Sequence, residues 1–293
     1  MIFFLFPIFV FFLIASAFSV NKIILNSIAP YLFVSLRMGI SGLLLILIFC
    51  RKKNLWLKAK ENIKSLILIS SFTTLIPSIL RAFALKNISS SRASFWGAFE
   101  PFITSIYMYL LFNQKLTKNK LIGCFLGFFG ALFFIFTNKN ISGLSITFFC
   151  LADFLQIMSI ILSRYGWINA QKILNEKKIF TPEQLNGFTF TISAFISIIL
   201  SFMYEKNNIF NLLITKKLIF CMLYTILIGN MLAYTLYGYL LKKYEATFVS
   251  LAGLSVPLFV HLIGPVLLNE KISFYFFISM GFIFLALYSF NKK

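Results

Sequence analysis

Acidic residues are scarce in this chain: 8 Asp and Glu stand against 27 Lys and Arg in 293 residues, a formal net charge of +19. Histidine occurs once, as His261, and the four cysteines, Cys50, Cys124, Cys150 and Cys221, include no CxxC pair. Such a set offers no metal site and no redox couple, and the cysteines read as plain buried residues. A membrane-edge enzyme acting on lipid carriers would need clustered His, Asp or Glu, and the few acids here are scattered. No nucleotide-hydrolysing motif is present, and no cofactor is implied. Charge of either sign is itself rare, at 12% against 60% hydrophobic residues and a mean hydropathy of +0.91. A soluble domain of this length lacks the polar surface to cover so much apolar side chain. The chain reads as an all-α integral membrane protein with the lipid bilayer as its first partner. The basic excess excludes nucleic acid as a partner, because it lies between apolar runs and not on a basic, aromatic-rich face.

Ten apolar segments are present, at 2–21, 30–49, 65–85, 88–111, 120–137, 141–163, 185–204, 217–240, 246–268 and 272–290. Each is about the length a helix needs to cross the hydrocarbon core. Ala15-Ser16-Ala17 resembles a signal-peptide cleavage site, but no Lys or Arg precedes it, and removing this segment would leave an unmatched repeat. It is therefore read as the first span. With the N-terminus inside, the inner loops and tail collect seventeen of the 27 Lys and Arg, Arg164 and Lys172 among them; the outer loops hold eight, including Arg92. Arg37 and Arg81 fall within spans. This bias predicts both termini in the cytoplasm of a bacterial inner-membrane protein.

An internal repeat organises the chain. An offset of 156 lays Pro101 on Pro257, Gly97 on Gly253, and Asn113-Gln114-Lys115 on Asn269-Glu270-Lys271 without a gap. The same offset lays Thr74, Ser78 and Arg81 on Asn230, Tyr234 and Tyr237, two polar trios at i, i+4, i+7 spacing. Two repeats of five spans, an odd number, must point in opposite directions. The expected architecture is ten transmembrane helices as two inverted five-helix repeats, residues 1–139 and 140–293, with interrupted helices meeting near the midplane.

The order of spans, the prolines of spans four and nine, and the short turn after each resemble the drug/metabolite transporter superfamily, EamA type. The positions that carry the likeness are Pro30 and Arg37, Pro101 with Asn113-Gln114-Lys115, and Pro257 with Asn269-Glu270-Lys271. Gln114 stands where the family usually has Glu. A further likeness, in Tyr165-Gly166-Trp167 followed by Asn186-Gly187, is to the S-adenosylmethionine/S-adenosylhomocysteine transporters of intracellular bacteria. The resemblance implies a secondary transporter working by alternating access, with a small-molecule substrate and either a coupling ion or a counter-substrate. It implies an adenosyl amino acid as cargo, with amino acids or cationic drugs as the alternatives.

The residues add candidates for the cavity. Glu100 sits with Trp96, Thr104 and Tyr107 on one helical stripe, a carboxylate beside aromatic faces suited to a cationic or amphoteric group. The same acid can instead pair with a structural arginine. Asp153, with Gln156 and Ser159 one and two turns on, is either a second cavity carboxylate or an interhelical hydrogen bond. Arg81 either grips a substrate carboxylate or snorkels to the interface. Ser78, Asn230, Tyr234 and Tyr237 read as cavity lining. Pro101, Pro257 and Arg37 read as scaffold or hinge, with Arg37 also open to a role as partner of a cavity acid. His261 reads as packing, and Gly123, Gly127 and Gly130 as close helix contact.

Overall fold

The computed structural model describes residues 2–113, 117–137, 150–206, 215–268 and 275–291. These residues are helical throughout, with no strand among them. The helices are α1 (Ile2–Leu25), α2 (Pro30–Phe49), α3 (Lys53–Glu61), α4 (Ile63–Asn87), α5 (90–112), α6 (Lys118–Thr137), α7 (Leu151–Lys172), α8 (Pro182–Tyr204), α9 (Lys216–Lys243), α10 (246–268) and α11 (Tyr275–Asn291). Six stretches among the described residues are long and apolar enough to cross a membrane: Leu5–Leu25, Pro30–Phe49, Ile63–Asn87, Pro182–Tyr204, Lys216–Lys243 and Ala246–Ile263. Leu43, Leu47, Phe195, Phe202 and Phe220 stand exposed on the outside of the bundle, an arrangement that suits lipid and not water. The turn residues Gln114, Lys115, Asn269, Glu270 and Lys271 lie outside the described residues, as does the start of the span expected at 141.

Among the described residues four helices are irregular within their length, and α7 runs on into a π-helical turn at Ile173–Lys177. α4 widens to a π-helix over Ser70–Leu75, and α9 over Thr225–Tyr234. α5 and α10 each tighten to a 3-10 turn, at Gly97–Phe99 and Gly253–Ser255. The two tight turns are 156 residues apart, the offset of the sequence repeat. Each proline lies just after its turn, where the helix restarts. Pro101 occupies the first positions of the segment Glu100–Phe112, where its missing N–H would have had no partner in any case. Thr104 and Ser105 donate back to the carbonyls of Glu100 and Pro101, at 2.8 and 2.6 Å. The proline thus marks the break without leaving an orphaned group of its own.

Three sequence expectations change at element boundaries. Arg164 and Lys172, counted among the inner loops, belong to α7, which runs past residue 163 to Lys172. Arg92, counted in an outer loop, lies inside the first turns of α5. The loop after α2 contains a helix of its own, α3, held by Trp56, which donates to the Cys50 carbonyl at 3.0 Å.

Several helix pairs related by the 156-residue offset make corresponding contacts. α2 packs on α8, α5 on α10 and α6 on α11; α1 packs on α9 and α10, while α7 packs on α4 and α5. α2 and α8 run antiparallel: Gly39 faces Ala194, Gly42 faces Thr191, and Gly187 faces Ile46. Glu205, just past the end of α8, accepts the N–H groups of Tyr31 and Leu32 at 3.0 and 2.9 Å and so caps α2, whose N-cap Ala29 supplies no side chain. Gln184, near the start of α8, donates to the Phe49 carbonyl at the other end of α2, at 3.4 Å.

The close approach of α2 and α8 depends on small residues. A Cβ on Gly42 would lie 2.8 Å from the backbone nitrogen of Thr191, whereas one on Gly39 would meet only the Ala194 Cβ at 3.4 Å. Gly42→Ala is expected to lower stability by about 1–3 kcal/mol through overpacking, while Gly39→Ala leaves it nearly unchanged. Melting of the two variants in detergent, monitored by circular dichroism, compares them directly.

Candidate functional site

α5 touches α10 at their tight turns. A Cβ on Gly253 would sit 3.2 Å from the Phe11 ring, a tight contact, and 3.5 Å from Glu100 Oε2, an ordinary one, so glycine there makes room for the Phe11 ring beside the carboxylate. Beside this crossing lies a cavity. Its walls come from α1, α4, α5, α7, α9 and α10, and they include Arg81, Glu100, Gln156, Arg164, Trp167 and Tyr237.

Glu100 is not alone. Its Oε2 lies 3.3 Å from Arg164 Nη1, and the same Nη1 donates to the Tyr237 hydroxyl at 2.7 Å. Tyr237 packs edge-on against Trp167, ring centroids 4.7 Å apart, and Tyr234 lies 5.7 Å from Trp167 on another side. Acid, guanidinium and three aromatic rings therefore form one cluster. Arg164 was missed because the polar residues around it look like the end of a span. A usable signal was there: Asp153, Gln156, Ser163, Arg164 and Trp167 continue one helical face past that expected end.

Beyond Tyr234 lies a second, smaller chamber. It shares Ile14, Phe18, Arg81 and Tyr234 with the first, and adds Arg37, Ser78 and Asn230. Asn230 is fully buried in the π-helical part of α9, and its amide donates to the Arg37 carbonyl and the Ser41 hydroxyl, both at 3.2 Å. Arg37 reaches the Ser78 hydroxyl at 3.4 Å and lies over the Phe33 ring at 5.0 Å. Of the two polar trios, Ser78, Arg81, Asn230, Tyr234 and Tyr237 face the chambers; Thr74 instead meets Ser193 of α8 at 2.6 Å.

The stripe Trp96, Glu100, Thr104, Tyr107 does not stay together. Trp96 donates its indole N–H to Asp153 at 2.9 Å, Thr104 bonds its own backbone, and Tyr107 packs on Tyr165 at 5.8 Å. Asp153 is fully buried and lines neither chamber. Arg92 grips it with two bonds, at 2.9 and 2.6 Å, and the Cys150 backbone N–H and thiol add two more, at 2.9 and 3.1 Å. It thereby caps α7 and ties α5 to it. Gln156 does reach the first chamber, its amide donating to the Ala93 carbonyl at 3.1 Å. Pro101 and Pro257 line neither chamber; both are buried behind the tight turns. Among the described residues no group of His, Cys, Asp and Glu could hold a metal ion.

The profile of the EamA-like transporter family matches residues 1–137 and 152–291. An S-adenosylmethionine/S-adenosylhomocysteine transporter of Chlamydia trachomatis serovar L2 is 26% identical over 283 residues, covering 94% of this chain and 84% of its own length. Its counterpart in Chlamydia muridarum is 24% identical over 281 residues, covering 94% and 87%. The uncharacterized transporter YoaV of Bacillus subtilis is 24% identical over 253 residues, covering 86% and 84%. One solved crystal structure, 13% identical, superposes with a TM-score of 0.72 over 97% of this chain and 95% of its own, and shares the fold.

The two carboxylates predict different variants. Asp153→Asn removes the negative charge from the Arg92–Asp153 pair and weakens several bonds to the buried carboxylate, which should lower stability by about 2–3 kcal/mol. Glu100→Gln disturbs a single, longer contact beside open space. Thermal unfolding in detergent should show the first variant melting several degrees below the second.

Proposed function

This chain belongs to the EamA-like transporter family, and on that premise we propose that it exchanges an amphoteric adenosyl amino acid across the bacterial inner membrane by alternating access. In this reading S-adenosylmethionine is taken up against S-adenosylhomocysteine. The observation that carries it is the cluster Glu100–Arg164–Tyr237 beside Trp167, placed where two broken helices cross. Trp167, Tyr234 and Tyr237 offer faces for a planar ring, and Glu100 offers a carboxylate for a positive group. The named function of the chlamydial relatives supports the choice of cargo.

The framework of the proposal is ten spans in two inverted repeats, residues 1–139 and 140–293, with both termini in the cytoplasm. The two separate matches to the family profile, the corresponding contacts of offset-related helix pairs and the antiparallel α2–α8 pair support the repeats. The loop charges support the orientation. Within this framework the Glu100–Arg164 pair is the element that cargo disturbs. A cargo cation competes for Glu100, and the freed Arg164 keeps its bond to Tyr237. Each site group thus has a partner both with and without cargo, which keeps the charges from being stranded in a low dielectric.

The test is uptake of labelled S-adenosylmethionine into proteoliposomes, empty or preloaded with S-adenosylhomocysteine, beside a panel of amino acids and nucleosides. Preloading should accelerate uptake, and Glu100→Gln should lower the rate at least tenfold, about 1.4 kcal/mol. Uptake of amino acids alone would redirect the cargo assignment, and a Glu100→Gln variant as active as the parent would remove this carboxylate from the site.

A further inference from the structure

The second chamber carries charge that no acid among the described residues neutralises. Ion pairs among the described residues join Arg92 to Asp153, Lys120 to Glu245 and Arg164 to Glu100. Neither Arg37 nor Arg81 takes part in one, and no Asp or Glu lines this chamber. The Nε atoms of both arginines are buried without a hydrogen-bond partner. Arg37 is 7% exposed, and its one hydrogen bond, to Ser78, is long at 3.4 Å. Glu205, above this end of α2, already accepts two backbone N–H groups and a bond from Ser201.

Two guanidiniums lining one chamber repel each other, and burial strengthens that repulsion. Unused N–H groups held in a planar fork are the chemistry that receives a carboxylate through paired bonds. We propose that Arg37 and Arg81, with the Ser78 hydroxyl, form a carboxylate subsite in the second chamber. Arg81 and Tyr234 also wall the first chamber. A molecule with its ring against Tyr234 and Trp167 can therefore place a carboxylate between the two arginines. The assignment rests on the transport reading above but not on the identity of the cargo. The carboxylate belongs either to the cargo itself or to a separate small organic acid bound beside it.

Binding to the purified full chain in detergent separates these cases, all at constant ionic strength. Sodium acetate near 100 times its dissociation constant should raise the melting temperature by roughly 3–5 °C over sodium chloride. That shift should vanish in Arg81→Gln and shrink in Arg81→Lys, which keeps the charge but loses the fork. In the parent protein, S-adenosylhomocysteine should bind ten- to a hundredfold more tightly than its decarboxylated analogue, and acetate should compete with it, if the cargo's own carboxylate fills the subsite. Simultaneous binding of acetate and S-adenosylhomocysteine would assign the subsite to a separate acid. An acetate shift without any S-adenosylhomocysteine binding would overturn the adenosyl cargo and leave the subsite standing. Equal melting in acetate and chloride, together with equal affinity for the two adenosyl compounds, would overturn the subsite; both measurements use the parent protein and survive a variant that fails to fold.

Discussion

In hydrocarbon every backbone N–H and C=O must find a partner inside the protein, and an irregular helix leaves some of them exposed. The π-helical stretches of α4 and α9 and the tight turns of α5 and α10 can exist only where other helices or a cavity shelter them. The tight turns of α5 and α10 meet that requirement by touching each other. The first cavity opens beside them, with Gly97 and Gly253 in the turns, Glu100 just past one of them, and Tyr234 at the end of the π-helix of α9 among its walls. The π-helix of α4 is sheltered elsewhere, against α7 and α8.

The charges obey a related constraint. Asp153 and Glu100 are both carboxylates facing an arginine, yet they end in different states. Asp153 receives two bonds from Arg92, one from Trp96 and two from Cys150, so its oxygens have little left to offer. Glu100 has one arginine at 3.3 Å and open volume beside it. The first arrangement holds two helix starts together. The second can be rearranged by a ligand without leaving a bare charge behind. Residue type does not separate these roles; the number of donors around each acid does.

The sequence made the membrane class legible through composition alone, and the offset of 156 anticipated where the backbone would break, because Gly97, Gly253 and the two prolines stand at matching places. Arg81, Ser78, Asn230, Tyr234 and Tyr237 were legible as lining because polar side chains at helical spacing inside an apolar span have few other uses. Trp96 parts from Glu100 for a physical reason: the stripe assumed a continuous helix, and the tight turn at Gly97–Phe99 lies between them. Thr104 and Tyr107 share the regular segment Glu100–Phe112 with Glu100 but do not line the chambers. Arg164 was hidden for another reason: one guanidinium near a span end looks the same whether it reaches water or turns inward to an acid on a different helix. That choice depends on Glu100, 64 residues earlier, and no local pattern contains it.

The end contacts of α2 and α8 bear on mechanics. Glu205 ties one end of the pair, Gln184 the other, and Gly42 and Gly187 lock the middle at backbone distance. Sliding one helix along the other would drive Thr191 into a neighbouring side chain and pull both ends apart. The pair therefore behaves as a strut, with greasy flanks toward the lipid. Any change of shape that opens the cavity must be borne by the helices that line it, swinging about a member that neither bends nor shears.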